Sequence, residues 1–371
     1  MKKLVIITNI PSPYRIDFFY YLQQNVKDYK IFIIYASKNE DNRIWKVNKE
    51  KISNSYFLDS WTWKIPLHGD IKYIHFSKGV NSLLIKLKPD IIVGSEYNPT
   101  TLQAVRYCRK HGVPYVSWTD GTLHSERNIN GIQRYFRRYV IQHAAAYIGS
   151  STKSQEAQIA YGADPDKCFV SFLTVDLDKY IVTPKNRKGN RILFVGRLTE
   201  GKGIDLLFKA LKKIEEPYIL TLAGSGPEEK NLRRLAEELQ ISDKIEYLGY
   251  LQQEELKWVY ASSGIFVLPT RSDCFALVLL EAMCAGLPIV YSKYADGGYD
   301  LVEEGENGYR VDPFDTEQFS KCLRELLQNP EQAVLMGKAS LHRIGKFRFE
   351  EVSKGFMDAV RMASVEDNGD I

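Results

Sequence analysis

Leu268-Pro269-Thr270-Arg271-Ser272-Asp273-Cys274-Phe275-Ala276-Leu277-Val278-Leu279-Leu280-Glu281-Ala282-Met283-Cys284-Ala285-Gly286-Leu287-Pro288 is the stretch whose reading decides the fold. Gly264-Ile265-Phe266-Val267 leads into it as a short apolar run, the pattern of a strand covered on both faces. A polar loop follows, in which Ser272 or Asp273 is the expected N-cap of a helix. That helix should stop at Gly286, with Pro288 just beyond and a new strand after it. Asp273 stands in the loop and Glu281 about two turns into the expected helix. Strand-loop-helix crevices of this kind take ligands in open parallel sheets. Alone, the pattern fits a capping Asp and a surface Glu on an ordinary βαβ unit equally well.

Working outward, the same alternation recurs on both sides. Toward the N-terminus it runs through strands at Leu4 to Ile7, Ile31 to Tyr35, Ile91 to Val93 and Tyr115 to Trp118, with helices between them. The segment from Ser37 to Ile71 reads as strands and loops of weak periodicity. Around Thr174 to Asn190 the pattern breaks, and Val182 to Asn190 is polar, basic and the best linker. It restarts at Ile192 to Val195 and continues through Tyr309 to Val311. Repeated strand-helix alternation predicts parallel, doubly wound sheets in two consecutive α/β domains, 1–180 and 190–345. Pro330 to Met362 reads as helical, and the acidic tail Val365 to Asp370 as frayed.

Bulk composition narrows the function classes. The chain has 371 residues, 44% of them hydrophobic, enough for sizeable cores. Fifty basic and 46 acidic residues leave a formal charge of +4, too balanced to argue for nucleic acid but compatible with a local basic patch. The five cysteines are scattered without a CxxC pair, so neither a disulfide framework nor a zinc site is indicated. Leu4 to Ile7 is too short for a signal core, and no run reaches transmembrane length. The expected location is the cytoplasm, with the inner face of the membrane as an alternative.

The residues that carry chemistry cluster at strand ends. In Gly196-Arg197-Leu198-Thr199-Glu200-Gly201-Lys202-Gly203 two cations stand in a glycine-flanked loop between a strand and a helix. Glycine lets a ligand approach the backbone, and helix N-termini favour anions. Arg197 and Lys202 therefore suit a diphosphate, bound or leaving. A solvated Gly-Lys-Gly turn is the plain alternative. Ala223-Gly224-Ser225-Gly226-Pro227 lacks the full GxGxxG fingerprint and reads better as a tight turn. Glu281 suits a ribose diol and Asp273 a sugar, because an ionised carboxylate only accepts hydrogen bonds and hydroxyls donate them. The constellation points to a sugar nucleotide.

With these motifs in place, residues 190 to 315 resemble the donor domain of the retaining glycosyltransferases of family 4. The matching elements are Gly196-Arg197-Leu198 with Lys202-Gly203, Ala223 to Pro227, Ile245 to Tyr250, Leu268-Pro269-Thr270, Glu281-Ala282-Met283, and Glu304 to Tyr309. The resemblance implies the GT-B fold, two Rossmann-like domains with parallel sheets facing across a cleft. It also implies that the first half binds the acceptor and that the helix at about 348–364 returns to it. Glu281 falls on the family's second glutamate, which holds the nucleotide ribose. The first glutamate falls on Asp273, one methylene shorter. The family's Gly-Phe-Gly falls on Cys274-Phe275-Ala276, so donor contacts are expected from Gly196, Arg197, Lys202, Asp273, Cys274, Phe275, Ala276, Leu277 and Glu281.

The implied reaction moves a hexose-type sugar, from a UDP-sugar by preference, to a saccharide or lipid-linked acceptor in surface polysaccharide or glycolipid synthesis. Retention is implied. Arg197, Lys202 and the helix dipole would stabilise the leaving phosphate, with Asp273 at the sugar. Asp164-Pro165-Asp166 and Asp176-Leu177-Asp178 have DxD spacing but read as turns, so no metal and no other cofactor is expected. Asp120 is the first acceptor-side candidate, possible help in deprotonation included. Tyr14, Arg15, Glu96 and His124 are the others. Arg134 and Arg138 on one helix face, with Arg137 beside them and Ile132, Phe136 and Val140 on another face, suggest a membrane-surface helix, or else a core helix with a solvated basic side. Two other classes stay open: a GT-B sugar-nucleotide epimerase, and an inactive sugar-nucleotide-binding partner subunit of a transferase complex.

Overall fold

The computed structural model describes residues 1–38, 49–67, 70–182 and 187–365. Much of the stretch read as a linker, and all of the acidic tail beyond Val365, lie outside the described residues. Two compact units form. One takes the described residues up to Asp176 other than Asp70, together with those from Arg348 onward, and the other takes Asp70 and Leu177–Phe347.

In the first unit the strands are β1 (Lys2–Thr8), β2 (Tyr29–Tyr35), β3 (Ser55–Phe57), β4 (Ser60–Leu67), β5 (Asp70–Ser77), β6 (Ile91–Ser95), β7 (Tyr115–Thr119), β8 (Ala146–Gly149) and β9 (Cys168–Val170). Seven of them form one sheet in the order β3-β2-β1-β6-β7-β8-β9, and β4 and β5 pair separately. The sheet ladders are parallel: Val5 opposes Phe32 on one side and Ile92 on the other. Its strands are apolar on both sides because both faces are covered. One face carries Phe18 and Phe19 from the helix Pro13–Asn25, and Phe356 and Val360 from the helix Phe349–Val365. Phe356 meets Phe18 and Trp118 edge-on, with ring centroids 5.8 and 5.4 Å away. Burying each such side chain contributes about 1.5–3 kcal/mol. The other face carries Val80, Leu84, Ala104 and Val105.

The second unit repeats the plan with β10 (Arg191–Val195), β11 (Ile219–Ala223), β12 (Ile245–Gly249), β13 (Ile265–Leu268), β14 (Ile289–Ser292) and β15 (Gly308–Val311). Their order is β12-β11-β10-β13-β14-β15, again parallel. Chain order reverses between β1 and β6 in the first sheet and between β10 and β13 in the second. At such a switch point the loops leaving neighbouring strands part and open a crevice. The loops after β10 and β13 are the Arg197–Lys202 and Asp273 loops.

Two expectations are corrected here. The helix after β13 is Leu277–Cys284, and its N-cap is Ala276, at φ 61° and ψ 68°, rather than Ser272 or Asp273. Glu281 consequently stands little more than one turn into the helix. In the helix Gly131–Gln142, Arg137 is buried, while Ile132 and Tyr135 are 67% and 64% exposed. Arg134 and Arg138 are exposed on their shared face as expected, but Ile132 leaves the apolar face and Arg137 turns inward to a buried acid, Glu126.

Candidate functional site

The second unit's crevice is built by fastening two loops together. Arg271 binds Asp205 through two parallel bonds of 2.8 Å and donates to the Glu200 carbonyl at 2.6 Å. Its backbone N–H and the Thr270 hydroxyl both reach the Gly201 carbonyl, at 2.8 and 2.9 Å. Gly203, at φ 67°, lies so close that a Cβ there would stand 2.2 Å from the Pro269 carbonyl oxygen. The short 3-10 turn Glu200–Lys202 is thus held against the loop leaving β13.

That join brings Lys202 to Asp273. Its Nζ lies 2.6 Å from Asp273 Oδ2, with the two side chains 27% and 21% exposed. Asp273 Oδ1 accepts from the backbone N–H of Phe275 and Ala276 at 3.2 and 2.8 Å. The carboxylate bridges a cation and the turn that opens the helix. Phe275 and Ala276 are buried, Cys274 and Leu277 half-buried. Leu277 and Val278, the first two helical residues, present N–H groups that a helix cannot pair internally. Arg197 is half-buried just past β10, beside Gly196 at φ 153°. The Gly224–Gly226 turn packs on this backbone: a Cβ on Gly224 would stand 1.9 Å from the Gly196 carbonyl oxygen. That close approach accounts for its glycines without a phosphate.

Glu281 projects from the helix into a partly buried niche. Its Oε2 accepts from the Tyr260 hydroxyl at 3.0 Å. Burial raises its pKa to about 7, against the opposing hydrogen bonds of Tyr260 and Tyr180. Neither tyrosine stands near Glu281 in sequence, and no motif marks them.

The first unit gathers a second polar cluster at the carboxyl ends of β1, β6, β7 and β8. Arg15 Nη2 donates to both Asp120 oxygens at 2.8 Å, and its guanidinium lies 3.7 Å from the Trp118 ring centroid. Arg15 Nη1 is buried without a hydrogen-bond partner. Ser150 also donates to Asp120 Oδ1. Glu96, at φ 67°, accepts the Asp120 backbone N–H at 2.8 Å and the Thr119 hydroxyl at 3.3 Å. Burial and the Asp120 charge push the Glu96 carboxyl up. Tyr14, beside Arg15, has its phenol raised by burial. His124 pairs with Arg127, its Nε2 2.9 Å from Nη1. Glu126 stands in no sequence motif. It accepts from Arg137 Nε and Nη2 at 2.7 and 2.5 Å and from Tyr161 at 2.8 Å. Its partners are eleven and 35 positions away, so no local pattern reveals it.

Among the described residues no group of three or more His, Cys, Asp or Glu side chains is placed to hold a metal ion. No described helix is long and apolar enough to cross a membrane.

The model of the glycosyl transferases group 1 family matches residues 179–343, which span the second unit's crevice. Residues 179–343 belong to that family. An uncharacterized glycosyltransferase of Haemophilus influenzae is 36% identical over 164 residues, 42% of this chain and 46% of the relative. A D-inositol 3-phosphate glycosyltransferase of Rhodococcus jostii is 26% identical over 288 residues, covering 69% and 63% of the two chains. The chain thus spans about half to two thirds of the length of these relatives. Among solved structures, Anabaena Alr3699/HepE in complex with UDP superposes with a TM-score of 0.79 at 16% identity, over 97% of this chain and 100% of that one. The lipopolysaccharide outer core galactosyltransferase WaaB gives 0.77 at 19%, over 97% and 99%. At these identities the likeness establishes the fold, which is the GT-B architecture.

Proposed function

We propose that the chain is a glycosyltransferase that takes a hexose-type sugar from a nucleotide diphosphate, UDP by preference, and passes it with retention to a saccharide or lipid-linked acceptor. The observation that carries this is the pairing of Lys202 with Asp273 across the β10/β13 switch point, beside the opening N–H groups of the helix Leu277–Cys284. A diphosphate there meets Lys202, Arg197 and the helix N-terminus. As the sugar departs, negative charge grows on the phosphate, and these fixed positive groups stabilise it. Cationic side chains fill the role a metal has in other transferases, so the reaction proceeds without one. Glu281 accepts from the ribose diol and Asp273 from the sugar. The preference for UDP draws on the Anabaena neighbour, which was solved in complex with UDP.

The acceptor reading rests on the first unit's switch point, where Arg15, Asp120 and Glu96 meet at the ends of β1, β7 and β6. Asp120 is engaged by Arg15 and Ser150, so it orients that loop and stands at the acceptor side as part of a fixed pair. Surface polysaccharide or glycolipid assembly at the inner face of the membrane is the setting we propose.

A panel of UDP, GDP and ADP with their common sugar conjugates, read by thermal shift, identifies the donor, since a bound ligand raises apparent stability by mass action. Lys202→Ala is expected to abolish transfer and donor hydrolysis while leaving the unfolding midpoint within a few degrees. Full turnover in that variant overturns the diphosphate assignment.

A further inference from the structure

Asp273 holds one oxygen in the backbone turn and the other on Lys202. Oδ1 is filled by the two turn N–H groups, and Oδ2 shares its acceptor capacity with the Lys202 ammonium. The loop that carries the acid is clamped from behind. Its N–H donates to the Tyr294 carbonyl and its carbonyl accepts from the Asp296 N–H, both at 2.9 Å. A Cβ on Gly297 would stand 2.4 Å from the Phe275 carbonyl oxygen, so that backbone has no slack. The carboxylate is fixed at its Oδ1, whereas Lys202 reaches it on a flexible four-carbon stem. Of the two partners, the lysine is the one that can move.

We propose that Lys202 and Asp273 form an exchangeable pair, in which the donor's diphosphate draws Lys202 off Asp273 and leaves Oδ2 wholly to the sugar hydroxyls. This rests on the nucleotide-sugar reading above. A diphosphate carries more charge than one carboxylate and offers more acceptor oxygens, so it outcompetes Asp273 for the ammonium. The two halves of the donor are then recognised in order and not independently. A free monosaccharide has to share Oδ2 with the Lys202 ammonium. A nucleoside diphosphate without sugar binds against the internal pair and leaves Oδ2 to water. The sugar completes the exchange by donating to that oxygen.

The consequence has an unusual sign. Removing the negative charge at 273 should strengthen binding of the nucleoside diphosphate while weakening the discrimination that the sugar provides. Asp273→Asn keeps an acceptor oxygen for the Phe275 and Ala276 N–H groups, since Asn serves the same local turn. By titration calorimetry, whichever of UDP, GDP and ADP binds the unaltered protein is expected to bind Asp273→Asn about two- to fivefold tighter, the scale of a partly exposed ion pair. The affinity ratio of the matching nucleotide sugar to that nucleotide is expected to fall. Asp273→Ser, which keeps a hydroxyl acceptor for the turn, gives the same comparison if the Asn variant does not fold. Equal or weaker nucleotide binding by a folded variant overturns the exchange and leaves the donor site standing. Absence of binding by all three nucleotides to the unaltered protein overturns the donor site and the exchange together.

Discussion

Glu281 and its tyrosines set a pH dependence that separates a nucleotide ligand from a packing acid. Its folded pKa, raised to about 7 by burial, exceeds the ordinary glutamate value. In the folded protein the acid therefore binds its proton more tightly than in the unfolded chain. Its contribution to stability is full below about pH 4.3 and is lost as pH rises through 7. Glu96, also raised by burial, acts in the same direction, so the informative quantity is a difference between proteins. In Glu281→Gln the loss of stability between pH 5 and pH 8, followed by urea denaturation, is expected to be shallower than in the unaltered protein. A ligand whose diol prefers the ionised carboxylate must also bind better as that carboxylate forms. Nucleotide affinity is expected to rise more steeply between pH 6 and pH 8 in the unaltered protein than in Glu281→Gln, where only the nucleotide's own terminal phosphate titrates. Parallel pH profiles in the two proteins would remove Glu281 from the nucleotide site. The sequence showed this acid and its spacing from Asp273. It did not show Tyr260, twenty-one positions earlier, or Tyr180, because a hydrogen bond formed by tertiary folding leaves no local trace.

At the scale of elements, the strands and the turns that end them were the most legible part of the chain. Apolar runs such as Ile192 to Val195 and Ile265 to Leu268 are strands in the structure, because a strand covered on both faces has little freedom in composition. Helix starts were less legible. Asp273 has the chemistry of a cap, yet the helix begins four residues later. Asp273 caps an isolated turn instead, and Ala276 takes the left-handed position ahead of the helix. Close backbone packing decides that outcome, and no side-chain pattern encodes it. The joint between Gly203 and Pro269 is the same kind of feature and can be tested directly. Gly203→Ala places a methyl group 2.2 Å from a carbonyl oxygen at a residue with φ 67°. Strain and displacement together should destabilise the second unit by about 1–3 kcal/mol. Because the displaced turn carries Lys202, nucleotide affinity should fall in the same variant. Unchanged stability in urea would mean that the two loops are not held as tightly as the close approach requires.

For the whole molecule, the architecture followed from the alternation of strand and helix, whereas the return of the last helix to the first unit was legible only through the family resemblance. Phe349–Val365 is amphipathic, and its period says only that one face is buried. Its partners are Phe18, Trp118 and the underside of the first sheet, all far earlier in the chain. Gly355 belongs to that contact, since a Cβ there would stand 2.0 Å from the Val170 carbonyl oxygen. The first unit is therefore closed by a segment that follows the second in the chain, and the stabilities of the two units can be addressed separately. Phe356 is fully buried among Phe18, Trp118 and Val360. Phe356→Ala is expected to cost the first unit about 3–5 kcal/mol, through lost transfer energy and the cavity left behind. In calorimetry the first unit's transition should move down. The nucleotide should still raise the second unit's transition by the amount seen without the substitution, because every residue of the Lys202–Asp273–Glu281 site lies within Leu177–Phe347. A nucleotide-induced shift that disappears in Phe356→Ala would show that the donor site depends on the first unit's core, and would refute a site complete within the second.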